Sequence, residues 1–160
     1  MKASDFALVF SSVSFITVLV VTAVISHFSL PLEGMRIIPG FADFSFVQNR
    51  GVSFGLLSQN SNLGEKYLTI GTALLTVALG VWAYRATRVL LGIALGILIG
   101  GALYNTADRA LHGGVFDFLS VHLGTIPLFV CNVADIAISV GGILVLLDSI
   151  KETPLSASSQ

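Results

Sequence analysis

Four long apolar stretches, separated by shorter polar segments, dominate the pattern along the chain. They cover about residues 6–28, 67–84, 89–106 and 126–148. An α-helix rises 1.5 Å per residue, so a run of about 20 apolar residues crosses a hydrocarbon core of about 30 Å. The pattern therefore predicts four membrane-spanning helices. The first stretch is longer than the apolar core of a cleaved signal peptide, and we interpret it as a retained span.

The segment between the first two spans follows a different pattern. In "FADFSFVQNRGVSFGLL" (residues 41–57), aromatic and β-branched residues alternate with polar ones, which is typical of short strands. The turn residues Asn49, Arg50 and Gly51 predict a hairpin within this segment. We therefore predict an all-α integral membrane protein of four transmembrane helices, with a small extracytoplasmic sheet of about residues 36–60.

The distribution of basic residues predicts the orientation of these spans. Arg85 and Arg88 lie in a very short loop, and short basic loops favour the cytoplasmic side. Because four spans place both termini on the same side as this loop, Lys2 and Lys151 also lie on the cytoplasmic side. We expect one membrane domain over residues 1–150 with cytoplasmic termini, followed by a disordered cytoplasmic tail at 151–160.

Composition supports a membrane location and narrows the partners. Of 160 residues, 54% are hydrophobic and 11% are charged, and the mean hydropathy is +0.91. A soluble domain usually carries about 25% charged residues. The net charge of −1 provides no basic surface, which argues against nucleic acid as a partner. The single cysteine, Cys131, excludes an internal disulfide.

A row of small residues marks one face of the third span. Gly92, Gly96 and Gly100 recur every four residues, which aligns them on one side of a helix. Small residues at this spacing let two membrane helices approach closely. The row indicates tight packing within one bundle or, alternatively, a homodimer interface. We expect packing within the bundle and a monomer.

Polar residues cluster near the predicted outer ends of the last two spans. The pattern Asn-x-x-Asp occurs at Asn105 and Asp108 and again at Asn132 and Asp135. A charged side chain at the bilayer centre costs about 2.5–3.5 kcal/mol even on insertion scales, so such residues usually face the bundle interior and have a role. Asp108 also fits a structural role, paired with its neighbour Arg109.

Two of the aspartates suggest a specific chemistry. Asp117 lies in "VFDF" between the two Asn-x-x-Asp patterns, and Asp135 interrupts the fourth apolar stretch. Two carboxylates a few ångströms apart cannot both ionise cheaply, so they share one proton. One can then accept a proton from water while the other donates to a carbonyl oxygen. If these two side chains meet, they predict an aspartic protease that needs no metal or other cofactor.

Four short motifs resemble those of the lipoprotein signal peptidase (signal peptidase II) family. They are "NRGVSFG" from Asn49, "YNTADR" from Tyr104, "VFDF" from Val115 and "CNVAD" from Cys131, and their order and spacing agree with the family over about residues 6–150. The resemblance implies a bacterial inner-membrane aspartyl endopeptidase whose active site lies near the outer face. The implied substrates are diacylglyceryl-modified prolipoproteins, which are cut before the lipidated cysteine. Membrane lipid is the other implied partner.

The resemblance also implies roles for particular residues. Asp117 and Asp135 correspond to the catalytic pair. The positions implied for substrate binding or support are Asn49, Gly51, Asn105, Asp108, Arg109 and Asn132. The family's outer segment forms a β-cradle, and no metal or cofactor is implied. The chain departs from the family pattern in span one, which lacks the usual Asp and Lys, and at Tyr104, Ser53 and Cys131.

Several other interpretations have weaker support. "GVSFG" matches a serine-hydrolase motif around Ser53, but that motif requires a large α/β sheet. Cys131 with His112 or His122 suggests a thiol protease, yet a thiol in an apolar segment reacts poorly. The two histidines, Asp117 and Asp135 have no compact metal-ligand spacing. A non-catalytic lipoprotein-binding homologue and a small proton or ion transporter remain alternative functions.

Overall fold

The computed structural model of the protein describes residues 1–51 and 62–152. Within these ranges the chain forms long helices and one small sheet. The helices are α1 (Ala3–His27), the short α2 (Ser29–Leu32), α3 (Asn62–Tyr84), α4 (Val89–His112) and α5 (Val133–Glu152), and the strands are β1 (Arg36–Ile38), β2 (Ala42–Asn49), β3 (Val115–Leu123) and β4 (Ile126–Cys131).

The four long helices confirm the four predicted membrane spans. Ala3–His27, Leu63–Tyr84, Val89–His112 and Val133–Lys151 are long and apolar enough to cross a bilayer, with mean hydropathies between 1.5 and 2.5. Large apolar side chains such as Leu8, Leu74 and Leu146 are well exposed on their outer surfaces. Exposed side chains of this kind match a lipid environment, because hydrocarbon does not penalise apolar surface.

Helix α4 is the centre of the bundle, and α1, α3 and α5 pack against it. The glycine row makes the contact with α1 very close. A β-carbon at Gly92 would lie 2.2 Å from the backbone oxygen of Ala3, and one at Gly96 would lie 2.6 Å from that of Ala7. The predicted packing of this row within the bundle is confirmed, since neither position has room for a side chain.

The sheet is antiparallel, with strand order β1-β2-β3-β4. The second strand of the hairpin predicted at Asn49–Gly51 would lie outside the described residues, so that hairpin stays a prediction. β2 ends at Asn49, and the turn that joins it to β1 covers residues 39–41, where Gly40 has a φ of 77°. The other partner of β2 is β3, and in this pair Val47 of β2 lies opposite Asp117 of β3. Residues 52–60 of the predicted cradle lie outside the described residues.

The fourth span also begins later than its hydropathy predicted. Ile126–Cys131 is the strand β4, and α5 starts at Val133. The apolar run is continuous across both elements, so hydropathy alone did not separate them. Consequently Asp135 lies in the first turn of α5 rather than in the middle of a span. Helix α4 likewise extends beyond the predicted residue 106 to His112, and Gly113, whose φ is 72°, caps its end.

At the end of the bundle away from the sheet, an ion pair joins the start of α4 to the end of α5. Arg88 Nη2 lies 2.7 Å from Asp148 Oδ2, and the Asp148 side chain is only 5% exposed. The sequence analysis did not single out Asp148, because it sits near the end of an apolar run. α5 continues to Glu152, so it includes two residues assigned to the tail, while residues 153–160 lie outside the described ranges.

Removing this carboxylate should destabilise the bundle. We expect Asp148→Ala to lower the free energy of unfolding by about 1–3 kcal/mol, because it removes the buried carboxylate that faces the Arg88 guanidinium. Thermal unfolding in detergent measures this effect. Arg88→Ala and the double variant complete a cycle: if the pair matters, the double variant loses less stability than the sum of the two single variants. Additive losses would contradict a direct interaction.

Candidate active site

A cavity of about 220 Å³ lies between α3, α4, α5 and the sheet. At one end its lining is polar, and comprises Asn49, Asn105, Arg109, Asp117 and Asp135. At the other end it is apolar, with side chains such as Leu79, Leu98 and Ile138. The two aspartates that the sequence analysis paired therefore line one cavity, although they are 18 positions apart in the chain and belong to different elements.

Asp117 lies in β3 with its side chain pointing into the bundle, and it is 1% exposed. Two amides hold its carboxylate. Asn49 Nδ2 donates to Oδ2 at 2.8 Å, and Asn132 Nδ2 donates to Oδ1 at 2.8 Å. Because β2 and β3 are neighbours in the sheet, the pairing of these strands brings Asn49 to Asp117 across 68 positions of sequence.

Burial raises the pKa of Asp117 to about 7, and the nearby charge of Asp135 adds to this effect. The hydrogen bonds from Asn49 and Asn132 and the charge of Arg109 act in the opposite direction. Near neutral pH this carboxyl group therefore populates both its protonated and its ionised form. Since the folded state holds the proton more tightly than the unfolded chain, this group's contribution to stability falls as the pH rises from about 4 to about 7.

Asp135 is held at the start of α5 by a reciprocal cap. Asn132 Oδ1 accepts from the backbone N–H of Asp135 at 3.1 Å, and the backbone N–H of Asn132 donates to Asp135 Oδ2 at 3.2 Å. This is the capping-box geometry, here made by Asn and Asp. Asn105 Nδ2 from α4 donates to Asp135 Oδ1 at 2.9 Å. Both carboxylate oxygens are therefore fixed by donors from the protein.

Asn132 connects the two aspartates. It is fully buried, and its side-chain amide reaches both Asp117 Oδ1 and, at 3.2 Å, Asn105 Oδ1. The same side chain caps the helix that carries Asp135. One residue between β4 and α5 thus sets the positions of both carboxylates, which explains why a short Asn-x-x-Asp pattern follows the last strand.

Arg109 binds the backbone of Gly51, two residues after the end of β2. Its guanidinium is buried and donates from Nη2 to the backbone oxygen of Gly51. The N–H of Gly51 in turn donates to Asn49 Oδ1 at 2.9 Å. This chain of contacts orients the Asn49 amide toward Asp117. It also places a positive charge near both aspartates, which partly offsets their mutual repulsion.

Comparison with known proteins identifies the family to which this arrangement belongs. A family model described as Signal peptidase (SPase) II matches residues 6–151. The chain belongs to the signal peptidase II family. Membership confirms the predicted family and makes the protein a signal peptidase, hence a protease, as the sequence motifs indicated.

Individual relatives agree with this assignment. The lipoprotein signal peptidase of Methylorubrum extorquens (strain PA1) is 45% identical over 119 residues, which are 74% of this chain and 70% of that protein. The lipoprotein signal peptidase of Methylobacterium radiotolerans is 50% identical over 111 residues, which are 69% of this chain and 65% of that protein.

Two solved structures, described as bacterial membrane enzymes studied by the in meso method, have the same fold as this chain. One has a TM-score of 0.77 and 25% identity, and covers 96% of this chain and 93% of its own. The other has a TM-score of 0.72 and 26% identity, with coverages of 92% and 94%. The predicted fold of four spanning helices with a small sheet is confirmed.

Asp108 has a different position from the other motif residues. Its Oδ1 lies 2.6 Å from His112 Nδ1, and its Oδ2 accepts from the backbone N–H of Phe116 at 2.8 Å. The carboxylate thus faces away from the cavity and ties the start of β3 to α4, one residue before Asp117. The sequence analysis anticipated a structural pairing for Asp108 but chose Arg109, and it missed His112 as the partner.

The alternative nucleophiles and metal ligands gain no support from the geometry of the described residues. Cys131 is buried, and burial raises the pKa of its thiol to about 11. His122 lies at the sheet, with Nε2 3.0 Å from Asp43 Oδ2. Among residues 1–51 and 62–152, no group of three or more His, Cys, Asp or Glu side chains could hold a metal ion. Ser53 lies outside those ranges.

The sequence analysis missed the apolar half of the cavity. Thr72 and Thr76 of α3 line it, four residues apart on one helix face, together with Thr106 of α4. The Thr76 hydroxyl donates to the backbone oxygen of Thr72 at 2.7 Å, so it can lie in an apolar wall without an unpaired donor. Threonines at helical spacing in an otherwise apolar span were the available signal for this wall.

Proposed function

We propose that this protein is a membrane aspartyl endopeptidase that removes signal peptides from diacylglyceryl-modified bacterial prolipoproteins, cleaving before the lipidated cysteine. The observation that carries the proposal is that Asp117 and Asp135 line one cavity at the ends of the spans and share Asn132 as a neighbour. The names of the relatives, lipoprotein signal peptidases, supply the substrate class.

The proposed mechanism uses one proton shared between the two carboxyl groups. Asp117, with a pKa near 7, carries this proton near neutrality, while Asp135 accepts a proton from a water molecule. The oxygen of that water attacks the scissile carbonyl carbon, and Asp117 donates its proton to the carbonyl oxygen. As the tetrahedral intermediate collapses, Asp135 gives the proton that it took from water to the leaving nitrogen, Asp117 takes a proton back from a hydroxyl of the intermediate, and the C–N bond breaks. The remaining candidate residues support this pair: Asn49, Gly51, Asn105, Asp108, Arg109 and Asn132.

We place the active site near the outer face of the bacterial inner membrane, with both termini in the cytoplasm. The start of α1, the loop between α3 and α4 and the end of α5 lie at one end of the bundle, and they carry Lys2, Arg85, Arg88 and Lys151. The other four basic residues, Arg36, Arg50, Lys66 and Arg109, are spread over longer segments at the opposite end, and basic residues dense in short loops favour the cytoplasmic side. The sheet and the cavity lie at the opposite end.

We propose that the substrate reaches the site from the bilayer as a single chain bound to a monomeric enzyme. α3 and α5 each pack on α4, but they make little contact with each other. The apolar half of the cavity lies between them, lined by Leu75, Leu79 and Ile138. A cleft at this depth admits a lipidated precursor without transferring its acyl chains through water, which would be costly.

The distribution of charge favours a protease over a proton or ion transporter. A relay needs ionisable groups at several depths across the membrane. Here the aspartates lie at one end and the Arg88–Asp148 pair at the other. Between these ends, the four spans contain no Asp, Glu, Lys, Arg or His. A non-catalytic homologue is also disfavoured, since both carboxylates and their amide donors are present.

The direct test is cleavage by the purified protein in detergent. The substrate is a diacylglyceryl-modified prolipoprotein, and the same precursor without the lipid is the matched control. We expect cleavage of the lipidated form alone, with the modified cysteine as the new N-terminus by mass spectrometry, and no effect of EDTA. Binding without cleavage would support the non-catalytic alternative, whereas inhibition by EDTA would show that the metal-free mechanism is wrong.

The orientation is tested separately by thiol labelling in a Cys131→Ser background. Leu123→Cys places an exposed thiol on the sheet, and Lys2→Cys places one before α1. A membrane-impermeant reagent should label the first in intact spheroplasts and the second only after lysis. The reverse pattern would invert the proposed topology.

The pH dependence of cleavage should report the pKa of Asp117. Because the mechanism needs this carboxyl group protonated, we expect kcat/KM to fall as the pH rises through about 7. The hydrogen bond from Asn49 lowers this pKa, so Asn49→Ala should move the alkaline limb upward by about 0.5–1 pH unit. Gln48→Ala, which changes the exposed preceding residue, should leave the limb in place. A downward shift in Asn49→Ala would contradict the assignment of the limb to Asp117.

A further inference from the structure

The glycine row of α4 ends in a large residue. Gly92, Gly96 and Gly100 are followed at the same four-residue spacing by Tyr104, which is 7% exposed. At Gly100 a β-carbon would lie 2.6 Å from the backbone oxygen of Ser11, so α1 is still close there. One turn further on, the full ring of Tyr104 fits between the helices, which requires that α1 has moved away from α4.

The Tyr104 ring occupies the space where α1, α4 and α5 meet. Tyr104 forms one buried cluster with Val18 of α1 and Ala134 of α5, which are 1% and 0% exposed. Phe15 and Val133 pack against this cluster, and the Phe15 ring lies 6.3 Å from the Tyr104 ring, centroid to centroid. Thr22 of α1 and Tyr104 line the same small cavity on the other side of α4. This ring therefore joins α1 to the first turn of α5.

The first turn of α5 is also the turn that carries Asp135. Ala134, in contact with this cluster, immediately precedes Asp135, and Tyr104 immediately precedes Asn105, which donates to Asp135 Oδ1 at 2.9 Å. On the neighbouring turn, Gly101 brings α4 so close to α5 that a β-carbon would lie 2.6 Å from the backbone oxygen of Ala134. The large ring of Tyr104 and the absent side chain of Gly101 together determine how far the first turn of α5 lies from α4.

We propose that Tyr104 is a positioning residue for Asp135. Its ring holds the first turn of α5 at the distance from α4 at which Asn105 reaches the carboxylate. Tyr104 is not among the residues that line the catalytic cavity, so it acts through its neighbours and not on the substrate. This inference rests on the proposed function, because it assigns a consequence for catalysis to the packing.

The proposal predicts an effect on turnover rather than on substrate binding. A displacement of about 1 Å in a catalytic group can cost about 100-fold in rate. We expect Tyr104→Ala to lower kcat by roughly 10- to 100-fold with KM within about twofold of wild type. Tyr104→Phe keeps the ring and should stay within about threefold of wild-type kcat. Tyr104→Leu, which keeps part of the volume, should fall between the two.

A double-mutant cycle tests whether Tyr104 acts through the Asn105–Asp135 contact. If it does, adding Tyr104→Ala to Asn105→Ala should lower kcat by less than about threefold further. A multiplicative loss, an unchanged kcat in Tyr104→Ala, or a loss confined to KM would overturn the proposal. Wild-type enzyme in the same assay separates this failure from failure of the proposed function.

Thermal unfolding of the same variants gives a second readout that does not depend on cleavage. If Tyr104 positions the turn that Asn105 holds, the decrease in Tm of the double variant should be smaller than the sum of the two single decreases. Additive decreases would overturn the structural link between these residues even if no substrate were cleaved. Tyr104→Leu replaces Tyr104→Ala in the cycle if the alanine variant does not fold.

Discussion

Replacing either Asp117 or Asp135 with asparagine should lower the rate of prolipoprotein cleavage by about 10³-fold or more. Asparagine has nearly the same shape, but it can neither accept a proton from water nor donate one to a carbonyl oxygen as a carboxyl group does. Because the two groups share one proton, losing either one stops the exchange. The double variant should therefore be no slower than the slower single variant, as expected for residues that act as a unit. Single-turnover cleavage in detergent measures these rates.

The matched control is Asp148→Asn. Asp148 is also a buried aspartate of α5, but it pairs with Arg88 at the opposite end of the helix. Assayed below its unfolding temperature, this variant should cleave at a rate within about threefold of wild type, because its carboxylate does not reach the cavity. Near-normal cleavage by Asp117→Asn or Asp135→Asn would refute the aspartyl mechanism. Equal losses in all three variants would indicate a general loss of folding.

The second large effect is expected at Asn132. Asn132→Ala removes the donor to Asp117 Oδ1, the contact with Asn105 and the cap of α5 at once. We expect kcat to fall by about 100-fold, since both carboxylates lose the group that orients them. Loss of the cap and of buried hydrogen bonds should lower the free energy of unfolding by about 2 kcal/mol. Cleavage kinetics and thermal unfolding measure the two effects.

Asn132→Ser separates these two roles of Asn132. A serine hydroxyl still caps the helix by accepting from the N–H of Asp135, but it is too short to replace the amide donor at Asp117. We expect this variant to recover most of the lost stability while kcat stays low. Recovery of kcat together with stability would mean that Asn132 matters only as a cap. In both variants the pKa of Asp117 should rise further, because the hydrogen bond from Asn132 lowers it.

The four spans were predictable from the sequence because each one is decided locally. A backbone segment in hydrocarbon must satisfy its own hydrogen bonds, so a long apolar run forms a helix whatever surrounds it. The glycine row of α4 was predictable for the same reason: a four-residue period fixes one face of one helix. The pattern did not show that this row meets α1, since small residues at that spacing suit any neighbouring helix.

The sheet could not be assembled from local patterns. The alternation in residues 42–49 predicted a strand, but the partner of that strand lies at Val115–Leu123. Pairing between segments so far apart depends on the helices that bring them together, and period-two alternation carries no information about the partner. The start of α5 was missed similarly, because apolar strand and apolar helix residues have the same hydropathy.

The candidate site shows the same division. The sequence by itself singled out the residues that we propose to carry the chemistry: Asp117 and Asp135 are carboxylates that a membrane protein retains only at a cost, and their motifs predicted the family that the comparison shows. Only the tertiary structure decided that Asn132 reaches Asp117, that Arg109 holds Gly51, and that Asp108 turns toward His112. Residue types and local periods are properties of short segments. The distances between these side chains instead depend on how α4, α5 and the sheet pack together, and no single segment contains that information.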